Sequence, residues 1–159
     1  MLNQILEYTK KFYPYSLETG VFTIVADGIE GFTGEYVVGQ YINIQESFLN
    51  DGTYKITAVT DTKLTLDATL TAEDTATIYL WGLKLPKAYL SLISDIETYA
   101  DMQTTSANLQ SESQGNRSVT YKDGSDWQSA FKAQLSVYRS LYDDRATYCR
   151  MYNIDTKGW

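Results

Sequence analysis

The stretch from Leu83 to Tyr121, LKLPKAYLSLISDIETYADMQTTSANLQSESQGNRSVTY, places the tightest constraint on what this chain can become. Pro86 suits a first helical position, where its missing N–H is not needed. Behind it Leu90, Ile93, Ile96 and Tyr99 recur at three- and four-residue steps, and Leu92 and Ala100 widen the stripe. This pattern predicts a core helix over 86–103. A polar run from Thr104 to Gln110 ends it. Ser111-Glu112-Ser113-Gln114-Gly115-Asn116-Arg117-Ser118 then reads as a small hydrogen-bonding loop, and Ser118-Val119-Thr120-Tyr121 alternates like a short strand.

Upstream the signals are those of β structure. Leu2, Ile5, Leu6 and Thr9 share one face of a short N-terminal helix that Tyr13-Pro14 should stop near Lys11. Val21–Val25 reads as a strand closed by an Asp27-Gly28 turn. Tyr36–Ile44 alternates, and Gly39 inside it marks a bulge or a close backbone approach. Asn50-Asp51-Gly52 is the clearest hairpin signal, since all three residues tolerate positive φ. It leads into Thr53–Val59. Asp61-Thr62 turns the chain into Lys63–Leu66, and Thr77–Trp81 is the last strand before Pro86. Short strands at regular spacing imply a small antiparallel sheet or barrel.

Downstream, Ser125-Asp126-Trp127-Gln128 carries capping-box spacing. Trp127, Phe131, Leu135, Tyr138, Leu141, Tyr142, Arg145, Tyr148 and Met151 keep a helical period over about 126–150. The expected fold is therefore α+β. Residues 1–13 and 83–152 form a helical core, an N-terminal helix plus two longer ones. Residues 20–82 form an inserted small antiparallel β lobe.

Chemistry is excluded more easily than it is found. With 43% apolar and 21% charged residues the 159-residue chain reads as globular and soluble. No apolar run approaches the ~20 residues that span a bilayer, and no charged n-region with an apolar h-region opens the chain. There is no histidine and the net charge is −7, which disfavours nucleophilic triads, the commonest metal ligand and tight binding of phosphate. Glycine-rich phosphate loops, GxSxG, HExxH and paired cysteines are all missing. No enzymatic activity, cofactor or metal is expected. The pairs Glu73-Asp74 and Asp143-Asp144 read as solvated charges, because sequence neighbours do not share a helix face. Asp27, Asp51 and Asp61 adjoin turns, where Asp bonds its own backbone. The lone Cys149 reads as a small buried hydrophobe. The fourteen tyrosines suit either strands or partner surfaces. Only Ser111, Glu112, Ser113 and Arg117 are dense enough to suggest a site, either satisfying their own loop or bonding across a subunit boundary.

The segment Ser111–Tyr121 resembles the SES-x-G-type loop of tailed-bacteriophage head–tail connector (adaptor) proteins. Gly39-Gln40-Tyr41-Ile42 and Asn50-Asp51-Gly52-x-Tyr54-Lys55-Ile56-Thr57 resemble the β insertion of connectors from phages and prophages of Gram-positive bacteria. The resemblance implies a structural virion protein made in the host cytoplasm and residing in the neck. It implies a homo-oligomeric ring, a dodecamer in the virion that can stay monomeric alone, seated under the portal protein. Such a ring extends the DNA channel without specific DNA binding or membrane contact, and docks a stopper or tail-completion protein. Ser111, Glu112, Ser113, Gly115, Arg117 and Tyr121 are the subunit or portal contacts it implies. A head-completion (stopper) protein is the runner-up. A carbohydrate-binding β module stacking sugars on Tyr41, Tyr54 and Trp81 is the rival from another class, and a hydrolase using Glu112 and Asp123 is the weakest reading.

Overall fold

The computed structural model describes residues 1–107, 127–141 and 143–151. Chain packing divides it into two units: Met1–Lys11 with Pro86–Leu141, and Phe12–Leu85 with Tyr142–Trp159.

The second unit is built on a closed antiparallel barrel of six strands, β1 (Pro14–Val25), β2 (Gly28–Glu30), β3 (Tyr41–Gln45), β4 (Gly52–Val59), β5 (Lys63–Leu66) and β6 (Glu73–Leu83), in the order β1-β2-β5-β4-β3-β6. β6 closes it by pairing with β3 on one side (Asn43↔Trp81) and β1 on the other (Glu18↔Leu80). Period-two alternation drives the closure. Phe22 and Ile24, Ile42 and Ile44, Leu64 and Leu66, and Ile78 and Leu80 point inward with Ile29 and Ile56 and are buried. Each such side chain contributes about 1.5–3 kcal/mol of burial. Barrels of about eight strands are only just wide enough for side chains to fill, so a narrower one filled with isoleucine and leucine has a solid interior. Its chemistry must lie on the outside and in the loops. Gly28 is required by close approach, because a Cβ there would collide with the Leu64 carbonyl oxygen.

This barrel corrects the expected helical core with a small β lobe. Three missed pieces account for the error. β1 begins at Pro14, allowed because proline can start a strand without donating to the ladder. The three-residue β2 is too short to show a pattern, and β6 extends back to Glu73.

The long second helix is likewise corrected. It is three pieces, α3 (Trp127–Ala130), α4 (Lys132–Tyr138) and α5 (Asp144–Met151), after α1 (Leu2–Thr9) and α2 (Lys87–Ala107). Phe131 leaves helical geometry at φ −108°, ψ 16°, and Arg139 is extended at ψ 125°. Asp143 then starts α5 by accepting the Arg145 amide at 2.9 Å. Helical spacing persists in the sequence across breaks at Phe131 and Arg139, where the backbone leaves helical geometry. Leu141, counted in that stripe, is 94% exposed.

The first unit holds a helical cluster of its own. Ile5, Leu6, Tyr89, Ile93, Ile96, Trp127 and Leu135 are buried, whereas Leu90 and Phe131 are only half-buried. The α2 stripe is thus rotated to include Tyr89, whose ring stacks on Tyr138 at 4.4 Å and whose hydroxyl hydrogen-bonds Thr9 Oγ1 at 2.6 Å. Tyr8 meets Trp127 and Tyr99 meets Phe131 edge to face. α1 ends at Thr9 with Lys10 in the left-handed region, φ 57°.

Candidate functional site: clamped loops of the barrel

Ser111, Glu112, Ser113, Gly115, Arg117 and Tyr121 lie outside the described residues, as do Asp123 and the Ser125-Asp126 cap. The described residues point elsewhere, to two barrel loops each held by one glutamate.

Glu73 opens β6 and faces the 46–51 loop between β3 and β4. Its carboxylate accepts the Phe48 and Leu49 amides, each at 3.0 Å, the Ser47 hydroxyl at 3.3 Å and the Asn50 side-chain amide. An ionised carboxylate is acceptor-only, with lone pairs enough for all four donors. Asn50, 4% exposed, fastens the loop's other side by trading two 2.8 Å bonds with the Thr71 backbone. The Tyr54 hydroxyl caps the Asn50 carbonyl, and Asp51 accepts the Ser47 amide. Asn50-Asp51-Gly52 does make a hairpin, through a six-residue loop (46–51) rather than a tight turn. The product is unusual: a loop fixed at its base that leaves Phe48 88% and Leu49 59% exposed at its tip. Partial burial pushes the Glu73 carboxyl up, but the bonds from Phe48, Leu49, Asn50 and Ser47 outweigh it and hold the group below its ordinary value.

Glu18, in the middle of β1, does the same for the 31–40 connection. It accepts the Thr33 hydroxyl at 2.8 Å, the Gly34 amide at 3.0 Å and the Tyr36 hydroxyl at 3.0 Å, besides the Thr33 amide. Burial opposes the charge, yet these bonds hold the carboxyl below its ordinary value. Burial and the Glu18 charge push the Tyr36 phenol up. An open hollow of about 440 Å³ lies here, lined by Tyr15, Glu18, Glu35 and Tyr36 among others. Beyond the clamp, Val37 and Val38 are 65% and 63% exposed.

A third element fixes α5 on the barrel's outer face. Arg145, 3% exposed, lies 3.5 Å over the Phe12 ring, donates to Asn43 Oδ1 at 2.7 Å and forks onto Asp143. Asn43 in turn donates to Thr53 at 3.0 Å. Asp144 accepts the Phe12 and Tyr13 amides at 2.8 and 2.9 Å. Asp143 and Asp144 are therefore structural partners, correcting their reading as solvated charges, and Glu73 is corrected with them. Cys149 is buried, and burial together with Asp143 raises its thiol.

The sugar-stacking trio is not assembled. Trp81 is fully buried, donates to Gln45 at 2.8 Å and meets the Tyr148 ring edge-on, while Tyr41 and Tyr54 are half-buried. Among the described residues no cluster of three or more Cys, Asp or Glu could hold a metal, and no helix is long and apolar enough to cross a membrane. The signal for the Phe48 tip was present in the sequence: two large apolar residues inside a run of turn formers, where polar residues are expected.

Comparison of the chain with protein-family models, with curated proteins and with solved structures finds no match. The class the geometry defines is a small closed barrel whose outward features are clamped loops.

Proposed function

We propose that this chain is a structural assembly protein, and specifically a ring-forming head–tail connector of a tailed phage, the reading implied by the resemblance of 111–121 and of the β3–β4 hairpin. One observation carries it: the barrel fixes the 46–51 loop through Glu73 and Asn50 while leaving Phe48 and Leu49 in solvent. Fixing a loop before binding lowers the ordering cost of association, and exposed aromatic and aliphatic anchors are what protein interfaces use. The net charge of −7 fits a surface past which DNA slides without sticking.

A head-completion (stopper) protein is the second reading. It is supported by the closed barrel and by the break of the second long helix into α3, α4 and α5, which leave a mostly β protein with one long helix. Incubation with purified portal rings, followed by electron microscopy, tests the first reading and separates it from the second. A connector adds a new ring of density directly beneath the portal. A chain that joins only after another neck protein is in place is a stopper. Failure to join portal or neck proteins at any ionic strength overturns both.

A further inference from the structure

Resting on the ring-forming reading, we propose that the Phe48–Leu49 tip of one copy docks on the Val137–Leu141 surface of the next. The tip sits in acidic surroundings. Segments 45–54 and 66–83 contain Glu46, Asp51, Asp67, Glu73 and Asp74 and not one lysine or arginine. Two of those carboxylates are committed to the loop's own amides, and the tip they support projects Phe48 at 88% exposure. A partner for such a tip must offer apolar surface rimmed by cations.

The chain carries a surface of that kind at the end of α4. Val137 is 79% and Leu141 94% exposed. Between them the chain is pinned, because the Ser140 amide donates to the Thr9 carbonyl at 2.8 Å. This bond sets the segment beside the end of α1 and Lys10, whose ammonium pairs with Glu7 at 3.3 Å. Arg139, between Val137 and Leu141, lies 5.5 Å over the Tyr8 ring. The carboxylates that follow in sequence are taken up elsewhere, Asp143 by Arg145 and Asp144 by the Phe12 and Tyr13 amides. The two surfaces are unlike and complementary, apolar with acid against apolar with base. A contact between unlike surfaces of identical chains is head-to-tail, and it builds a ring when the rotation closes.

The test is sedimentation equilibrium of the full chain up to about 1 mM, at low and at physiological salt, because weak contacts of this size fall in the millimolar to micromolar range. Phe48→Asp and Leu141→Asp alter highly exposed side chains, and circular dichroism checks that the fold survives. Wild type is expected to self-associate, less so as salt rises. Each variant alone is expected to associate about 30-fold or more weakly, the loss that removal of a hot spot brings. An equimolar mixture of the two variants is the sharper arm. One retains an intact Val137–Leu141 surface and the other an intact tip, so the mixture forms pairs and stops there. A wild type monomeric throughout, variants that associate like wild type, or a mixture that forms no pairs overturns the proposal. Adding portal rings separates the two failures. Unchanged self-association with lost portal binding in Phe48→Asp assigns the tip to another protein and leaves the connector reading standing. A wild type that ignores portal rings removes the connector reading itself.

Discussion

Replacing Glu73 by Gln tests whether one carboxylate holds the tip in place. The wild-type group accepts four donors: Oε2 takes the Phe48 amide, and Oε1 takes the Leu49 amide, the Ser47 hydroxyl and the Asn50 side chain. Glutamine keeps one acceptor oxygen and turns an NH₂ toward the remaining donor. One charge-assisted bond is lost outright and the others become neutral. Bonds to charged groups are worth about 1.5–3 kcal/mol and neutral ones about 0.5–1.5 kcal/mol, and water reaching this exposed loop recovers part of the difference. The expected change is about 2 kcal/mol in favour of loop opening, and less in global stability. Amide hydrogen exchange reads it directly: protection at Phe48 and Leu49 should fall about 30-fold, the equivalent of that energy, while Ile44 and Leu80 in the barrel core stay protected. The pH dependence supplies an internal control. Glu73 has its carboxyl depressed in the fold, so its contribution is complete above the ordinary value of 4.5 and disappears as pH falls through the lower folded value. After correction for intrinsic exchange, wild-type loop protection should drop below that pH, and the Gln variant should show no such step. A variant as protected as wild type at neutral pH refutes the clamp.

Further outcomes follow from the same contacts. Arg145→Ala strands Asn43 and Asp143 and removes the stack on Phe12; denaturant unfolding should show a loss of about 3 kcal/mol, the low end for a broken buried pair because Asp143 keeps 21% exposure. Leu135→Ala, at a position 1% exposed, should cost about 2–5 kcal/mol in the same assay. Glu18 is depressed like Glu73, so its contribution to stability measured by urea unfolding should be constant from pH 4.5 to neutrality and decline below 4.5, and Glu18→Gln should flatten part of that decline.

The barrel was partly legible because β3 and β5 alternate apolar and polar residues, and the turns flanking β4 carry Asn50-Asp51-Gly52 and Asp61-Thr62. Its closure was not. The pairings β2–β5, β3–β6 and β1–β6 join strands that are not neighbours in sequence, and nothing local announces them. The first half of β1, Pro14 to Gly20, reads as loop by composition and becomes strand because β6 runs beside it from Leu83 to Ile78. The α2 stripe was read correctly except for its edge, since a tyrosine hydroxyl looks exposed until Thr9 supplies its partner. The 126–150 helix failed for a different reason. Trp127 and Leu135 bury in one unit, and Arg145 and Cys149 bury in the other, so a single period hides a change of allegiance between them. Glu73 and Asp144 look solvated in the sequence because each belongs to an acidic pair along the chain, whereas their donors, the 47–50 loop and the Phe12 and Tyr13 amides, lie far away in sequence.

The proposal that this chain builds a connector ring directly beneath a portal is tested most sharply by weighing what it adds to a portal. Mass measurement of portal rings before and after incubation with excess chain should show a gain in whole multiples of 18.0 kDa, matching the rotational symmetry of the portal. A portal mass that does not change, with the chain folded and in excess, contradicts it.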